Sequence, residues 1–310
     1  DVWKQRQKSE LIESILMGIP IPLMYLFEDK NGKKQVVDGR QRISAILDFL
    51  EGKFKLNNLR ILKQFNGCCF ADLDLKQQGV IEDFQLLFYI IQPPTPERVK
   101  YDIFDRVNRG GTPLNKQEMR NALYRGRCTR MLDKLCCSPE FLIATGRSIN
   151  KERMKDQYVV LRAMAFLMLH RGEFKDIPAL QYRGDIDDFL ARFMVYVNDN
   201  APEKLIVDYE NLFIRCMQIS YDLLGENGFR FSGNGIRRPI NMPLFEALSY
   251  LFSFVPEKID YTWASRLILD IESVKEEFDD SRYFSGNIDS TTSVSFRFDR
   301  MDKIINRIQL

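Results

Sequence analysis

Val36-Val37-Asp38-Gly39-Arg40-Gln41-Arg42 is the stretch on which the fold turns. Val36 and Val37 close a β-rich run, and Gly39 offers a backbone conformation that other residues resist. Ile43, Ile46, Leu47 and Leu50 then recur at the spacing of one buried helical face. The order strand, glycine turn, helix predicts a helix N-terminus whose unpaired N–H groups and positive dipole end attract an anion, phosphate above all. Arg40 and Arg42 supply fork-shaped cationic donors, Gln41 a group that orients a water or a base, and Asp38 a carboxylate for a magnesium-bound water. A plainer reading stands beside it: Asp-Gly is a turn dipeptide, and Asp38 paired with an arginine is an ordinary structural bridge.

Working outward, Leu11, Ile12, Ile15 and Leu16 form a helical stripe that stops at Gly18. Ile19-Pro20-Ile21-Pro22 forces an extended chain into a strand over residues 23–27, and Asn31-Gly32 makes the turn of a hairpin whose second strand covers 35–38. The helix after Gly39 is expected to end near Gly52. Residues 59–70, with Asn66-Gly67, predict a second hairpin, and 86–91 a strand closed by Pro93-Pro94. Thr95-Pro96-Glu97 opens a helix to about Val107, and Asn115-x-x-Glu118 resembles a capping box.

From about Cys128 the pattern turns helical. Leu205, Tyr209, Leu212, Cys216, Ile219 and Leu223 follow one stripe, and 244–254 is apolar nearly all round, as in a central buried helix. Ser138-Pro139-Glu140, Pro202-Glu203 and Pro256-Glu257 read as helix starts, and 225–235 as a glycine-rich loop. The expected class is α+β: an N-terminal α/β domain over 1–127 and a mostly α-helical domain over 128–310.

With 310 residues, 45% hydrophobic and 28% charged, the chain is globular in composition, which excludes disorder and collagen. The uncharged apolar run 163–170 falls short of the ~18–20 residues of a bilayer span, and no signal-like start is visible. A soluble, cytoplasmic protein without membrane contact is the expectation. Because the first residue is Asp1, not Met, an N-terminal element is expected upstream. Six cysteines show neither zinc spacing nor a disulfide framework and are read as buried thiols. The single histidine, His170, leaves an HNH nuclease site, a His-rich metal cluster and a Ser-His-Asp triad unsupported.

Net charge is only +2, yet between Glu97 and Arg130 nine Lys/Arg face four acids. Such concentration points to an anionic partner, nucleic acid or nucleotide phosphate, with a solvated helix face as the plain alternative. Within it, Arg106-Val107-Asn108-Arg109-Gly110-Gly111-Thr112-Pro113, followed by Glu118 and Arg120, forms a second candidate loop that could bend around a phosphate or a sugar. Its glycines could equally serve only a turn between two helices. Arg237-Arg238, Arg147 with Lys151, Arg153 and Lys155, and Arg297, Arg300 and Arg307 are further basic candidates, each read first as solvated surface.

The ordered set Trp3 with Leu11-Ile12-Glu13-Ser14-Ile15 and Ile19-Pro20-Ile21-Pro22, then Val37-Asp38-Gly39-Arg40-Gln41-Arg42, Phe104-x-Arg106-Val107-Asn108 and Leu114-Asn115-x-x-Glu118-x-Arg120-Asn121-Ala122 resembles the N-terminal domain of GmrSD-type modification-dependent restriction enzymes. The resemblance covers about residues 1–125. Arg153-x-x-Asp156 and Thr291-Thr292-Ser293 with Arg300 and Arg307 look like a downstream part of the same family.

The resemblance implies a ParB/sulfiredoxin-like fold with an Asp-Gly-x-Gln-Arg phosphate site, in bacterial proteins that defend against phage DNA. It carries over onto Asp38, Gly39, Gln41 and Arg42, and onto Arg106, Asn108, Glu118 and Arg120. Two departures stand out: Arg40 occupies a position where many members have glutamine, and no histidine-containing nuclease domain follows. The expected function is therefore a sensor that binds and hydrolyses a nucleoside triphosphate with Mg2+, with Asp38, Gln41 and Arg42 as catalytic residues and Asp38 as metal ligand. Gly39, Arg40, Arg106, Asn108, Arg109, Glu118 and Arg120 are the expected binding residues. DNA, a separate nuclease or effector subunit and a second copy of the chain are the expected partners. A non-enzymatic module recognising modified DNA, and a ParB-like nuclease, are the alternatives.

Overall fold

The computed structural model describes residues 3–28, 32–92, 99, 103, 114–233, 237–256, 260–281 and 283–308. Two compact units divide the chain, Asp1–Pro113 and Leu114–Leu310. Among the described residues the order is α and β elements in the first unit and helices alone in the second, an α+β chain. No helix among them is long and apolar enough to cross a membrane.

In the first unit, α1 (Gln5–Leu16) buries Leu11, Ile12 and Ile15 and stops at Met17 and Gly18, whose φ of 70° suits glycine. The chain then enters β1 (Met24–Glu28), which pairs antiparallel with β2 (Lys34–Asp38) as the Asn-Gly signal predicts; Asp29 to Asn31 of that turn lie outside the described residues. β3 (Phe88–Ile91) adds parallel to β1, so the sheet order is β2-β1-β3 with a bulge between Tyr25 and Leu26. α2 (Arg40–Leu50) follows β2 after one residue and buries Ala45, Ile46 and Phe49 against α1; α3 (Leu75–Glu82) closes that core with Ile81.

The second predicted hairpin does not form. Residues 59–70 instead make turns and two single-turn 3-10 helices, Lys63–Phe65 and Phe70–Asp72, with Leu56 and Leu59 driven into the core. Their backbone is held by Glu13, which is 4% exposed and accepts from the N–H groups of Arg60, Ile61 and Leu62 at 3.3, 2.8 and 2.8 Å. A carboxylate from α1 thus replaces the ladder partner a hairpin would have used. Of the helix predicted over 95–107 only Val99 and Ile103 are described, both helical; the rest lies outside the described residues.

The second unit comprises α4 (Lys116–Leu123), α5 (Arg127–Cys136), α6 (Pro139–Ala144), α7 (Lys155–His170), α8 (Ile186–Asp199), α9 (Glu203–Leu224), α10 (Met242–Phe252), α11 (Tyr261–Asp279) and α12 (Thr291–Ile308). Ser138 caps α6 with Pro139 at its first position, as predicted, and Glu203 follows Pro202 into α9. α11 starts at Tyr261 under an Asp260 cap; Glu257 of the predicted start lies outside the described residues.

Every residue of α10 from Pro243 to Phe252 is buried, between α7, α9 and α12. On α9 the buried stripe is Ile206, Tyr209, Phe213, Cys216, Met217 and Ser220, so the predicted stripe is rotated: Leu205, Leu212, Ile219 and Leu223 flank it half-buried. Cys128, Cys136 and Cys216 are buried free thiols, as expected, while Cys68 and Cys69 are half-buried and Cys137 is exposed.

Candidate functional site

Gly39 is the N-cap of α2 at φ 97° and ψ 3°. It brings no side chain to the cap, and the first intrahelical bond runs from Ile43 N–H to the Gly39 carbonyl at 2.9 Å. The N–H groups of Arg40, Gln41 and Arg42 therefore stand ahead of the helical ladder, at the positive end of the dipole. Glycine is required twice over at this point. A Cβ there would meet a left-handed backbone and lie 2.4 Å from Met24 Cγ of β1.

Arg42 donates from Nη2 to Asp38 Oδ2 and from Nη1 to the Pro22 carbonyl, the latter at 2.5 Å. One guanidinium thus ties the end of β2 to the proline segment that precedes β1. Gln41 Oε1 accepts from Trp3 N–H at 3.3 Å. Arg40 is exposed and makes no ion pair among the described residues. The bridge reading of Asp38 is realised, and it coexists with an uncapped helix start.

Of the second motif, Arg106, Asn108 and Arg109 lie outside the described residues. Its C-terminal half belongs to the second unit, where the capping box forms as the spacing predicts. Asn115 Oδ1 accepts from Gln117 and Glu118 N–H at 2.8 and 2.9 Å, and Glu118 Oε2 accepts from Asn115 N–H at 2.7 Å. Glu118 also takes Arg153 Nη2 at 3.0 Å. Burial pushes the Glu118 carboxyl up, but Arg153 and the Asn115 N–H outweigh it and hold the group below the usual range. Asn115 Nδ2 donates to the Arg153 carbonyl at 2.7 Å, where Arg153 and Met154 both adopt positive φ, 57° and 59°.

Arg120 is fully buried. Its Nε donates to Gln117 Oε1 at 3.0 Å, its Nη1 to Asp187 Oδ1 of α8 at 2.8 Å, and its guanidinium lies 5.2 Å from the Tyr158 ring centroid. Asp187, which also takes Lys116, was not foreseen; sixty-seven positions separate it from Arg120, and no local pattern announces it.

Most of the further basic candidates are paired. Arg237 meets Glu226 at 2.8 Å, Arg300 meets Glu277 at 2.7 Å, Arg307 meets Asp270 at 3.3 Å, and Arg238 pairs with Asp279. Arg297 corrects its expectation as solvated surface: it is 0% exposed, bonded to Glu246 Oε2 at 2.6 Å and to the Ile288 carbonyl at 2.7 Å. Arg162 reaches the same buried Glu246 from α7 and Asp289 at 2.6 Å, so a buried Arg-Glu-Arg cluster ties α7, α10 and α12.

His170 stacks on Phe298 with ring centroids 3.6 Å apart and an interplanar angle of 10°, a packed imidazole as expected. No group of three or more His, Cys, Asp or Glu suited to a metal ion occurs among the described residues.

Residues 1–125 match the family described as GmrSD restriction endonuclease, N-terminal domain. The resemblance read from the ordered motifs is shown over that segment. No curated protein and no solved structure matches the chain.

Proposed function

We propose that residues 38–42 bind the phosphates of a nucleoside triphosphate, and that the protein is a nucleotide-responsive component of a restriction-like anti-phage system. The observation that carries this reading is the α2 start. Its cap is a glycine in the left-handed region, which brings no side chain of its own to the helix start, beside a solvent-exposed Arg40. The family match over 1–125 supports the restriction context.

In this reading the N–H groups of Arg40, Gln41 and Arg42 hold phosphate oxygens, and Arg40 adds a charged fork from solvent. Magnesium carried in with the nucleotide supplies charge neutralisation. Asp38 belongs to no group of three or more metal-ligating side chains among the described residues, which fits an ion held chiefly by phosphates and waters, and Asp38 Oδ1, the oxygen not paired with Arg42, is the acceptor for such a water. Gln41 orients the water that attacks the terminal phosphorus, which releases phosphate and the diphosphate. DNA and a separate effector are the partners that read the nucleotide state, and the ParB/sulfiredoxin-like architecture is part of the same proposal.

Phosphate release from the four ribonucleoside triphosphates with magnesium, with and without DNA, tests the reading, together with thermal unfolding. A ligand at ~100 times its Kd adds ~2.7 kcal/mol of stability. Sequence alone makes Arg42→Ala the natural control with an unchanged fold; its bonds to Asp38 and Pro22 make Arg40→Ala the cleaner one. Neither release nor a stability shift with any triphosphate would overturn the proposal. Duplex-DNA binding with a steep salt slope and no nucleotide requirement would then put the recognition module in its place.

A further inference from the structure

A cavity of about 640 Å3 opens in the helical unit between residues 226–233 with 237–238 and the α11 helix. That volume is in the range of small-molecule sites. Four cations line it, Arg230, Arg237, Arg238 and Lys275, against two carboxylates, Glu226 and Glu272. The chemistry of each cation points the same way.

Arg230 is 4% exposed, and its donors go to neutral oxygens: the Glu226, Thr145 and Arg238 carbonyls and Ser148 Oγ. No carboxylate lies within ion-pair distance of it among the described residues. A buried cation whose hydrogen bonds go to neutral oxygens, with Glu226 acting on it only from beyond ion-pair distance, raises the potential of the space beside it. Burial and then the Arg237 cation push its pKa below the usual arginine range, outweighing the Glu226 charge that raises it.

Arg237 gives Nη2 to Glu226, and Arg238 gives Nη1 to Asp279 and to the Ser232 carbonyl. Each planar fork keeps further donors for a ligand. Gly146 makes room for the first: a Cβ there would lie 2.0 Å from Arg237 Nη2. Phe231 backs the second, with the Arg238 guanidinium 5.4 Å from its ring centroid. Lys275, 5% exposed, uses Nζ on Glu272 Oε1 at 2.9 Å and the Asn227 carbonyl at 3.3 Å, and an ammonium has a third donor.

We propose that this cavity binds a small phosphate-bearing anion, with the phosphate held by Arg237 and Arg238 under the field of Arg230 and Lys275. Small size follows from the neighbouring cavity of about 280 Å3, lined by Glu276, Asp279 and Asp280 with Ser232 and Lys275. The two cavities share Ser232 and Lys275, so the charge changes sign from one to the next, and a continuous nucleic-acid backbone is repelled where a compact phosphate is not. The cavity belongs to the second unit, and the proposal does not depend on the reading of residues 38–42.

Calorimetric titration of the full chain with inorganic phosphate, pyrophosphate and adenosine diphosphate at low ionic strength tests it. Pyrophosphate is expected to bind, and Arg237→Gln with Arg238→Gln to weaken it about tenfold or more. Arg237→Lys with Arg238→Lys keeps the charge and part of the affinity, so a general folding defect is distinguishable. Arg40→Ala is expected to remove any anion held at residues 38–42 from the titration and to leave the component that the double glutamine variant loses. A preference for adenosine diphosphate would identify a nucleotide as the source of the phosphate, and equal binding of pyrophosphate a free anion. Three outcomes overturn the proposal: no binding of any probe, affinity unchanged in the double glutamine variant, or duplex DNA bound through these arginines while the small anions are inert.

Discussion

Arg42 and Asp38 meet across Gly39, the guanidinium of one on the carboxylate of the other, while a second Arg42 nitrogen holds the Pro22 carbonyl. The pair is largely buried, with Arg42 13% and Asp38 27% exposed. Arg42→Ala is expected to lower the stability of the first unit by about 1–3 kcal/mol, the range for charge-assisted bonds. Arg40→Ala should leave the urea midpoint where it is and weaken nucleotide binding. Identical midpoints for both variants would show that the bridge contributes nothing.

Gly39→Ala is expected to cost about 2–3 kcal/mol, because a left-handed alanine loses ~1–2 kcal/mol and the new methyl must also displace Met24. Pairing it with Met24→Ala relieves the clash but not the backbone term. Denaturant titration of the single and double variants separates the two, and full rescue would disprove the backbone contribution.

Glu13 links α1 to the 60–62 backbone. Burial raises its pKa, but the N–H groups of Leu62, Ile61 and Arg60 and the Arg60 charge lower it further, to a net value below the usual 4.5. A depressed carboxylate stabilises the fold fully above its unfolded pKa and loses that contribution as pH falls through the folded value. Wild type should therefore lose stability below about pH 4.5 more steeply than Glu13→Gln, itself about 2–3 kcal/mol less stable at pH 7. Parallel pH profiles would contradict this.

His170 is held neutral: burial, then the Arg297 cation, lowers it from the ordinary 6.5 to about 3. Protonation is penalised in the folded state, so the neutral ring carries no cost above pH 6.5, and stability falls as pH drops from there toward about 3. As the only histidine, it gives a single imidazole signal by NMR, which should not titrate between pH 5 and 8. A midpoint near 6.5 would refute the packing account.

What could be read in the chain was local. The Asn-Gly hairpin, the helix stripe from Ile43, the Asn115–Glu118 capping box and the Ser138-Pro139 start all depend on residues within a few positions of one another. The candidate loop was legible for the same reason, since Gly39 and the first turn of α2 are contiguous.

Tertiary structure decided what depends on partners far along the chain. Residues 59–70 carried a hairpin signal, but the buried Glu13 offered their N–H groups acceptors some 47 to 49 positions away, and the turns won. Arg120 and Arg297 carry the same charge as Arg40, yet Asp187 and Glu246 draw them into the core while Arg40 stays in solvent. An arginine's type fixes its charge and its fork of donors; only packing brings the acceptors, a carboxylate at Arg120 and Arg297 and neutral oxygens at Arg230, that decide whether the fork is drawn inside, because burying it without them costs too much.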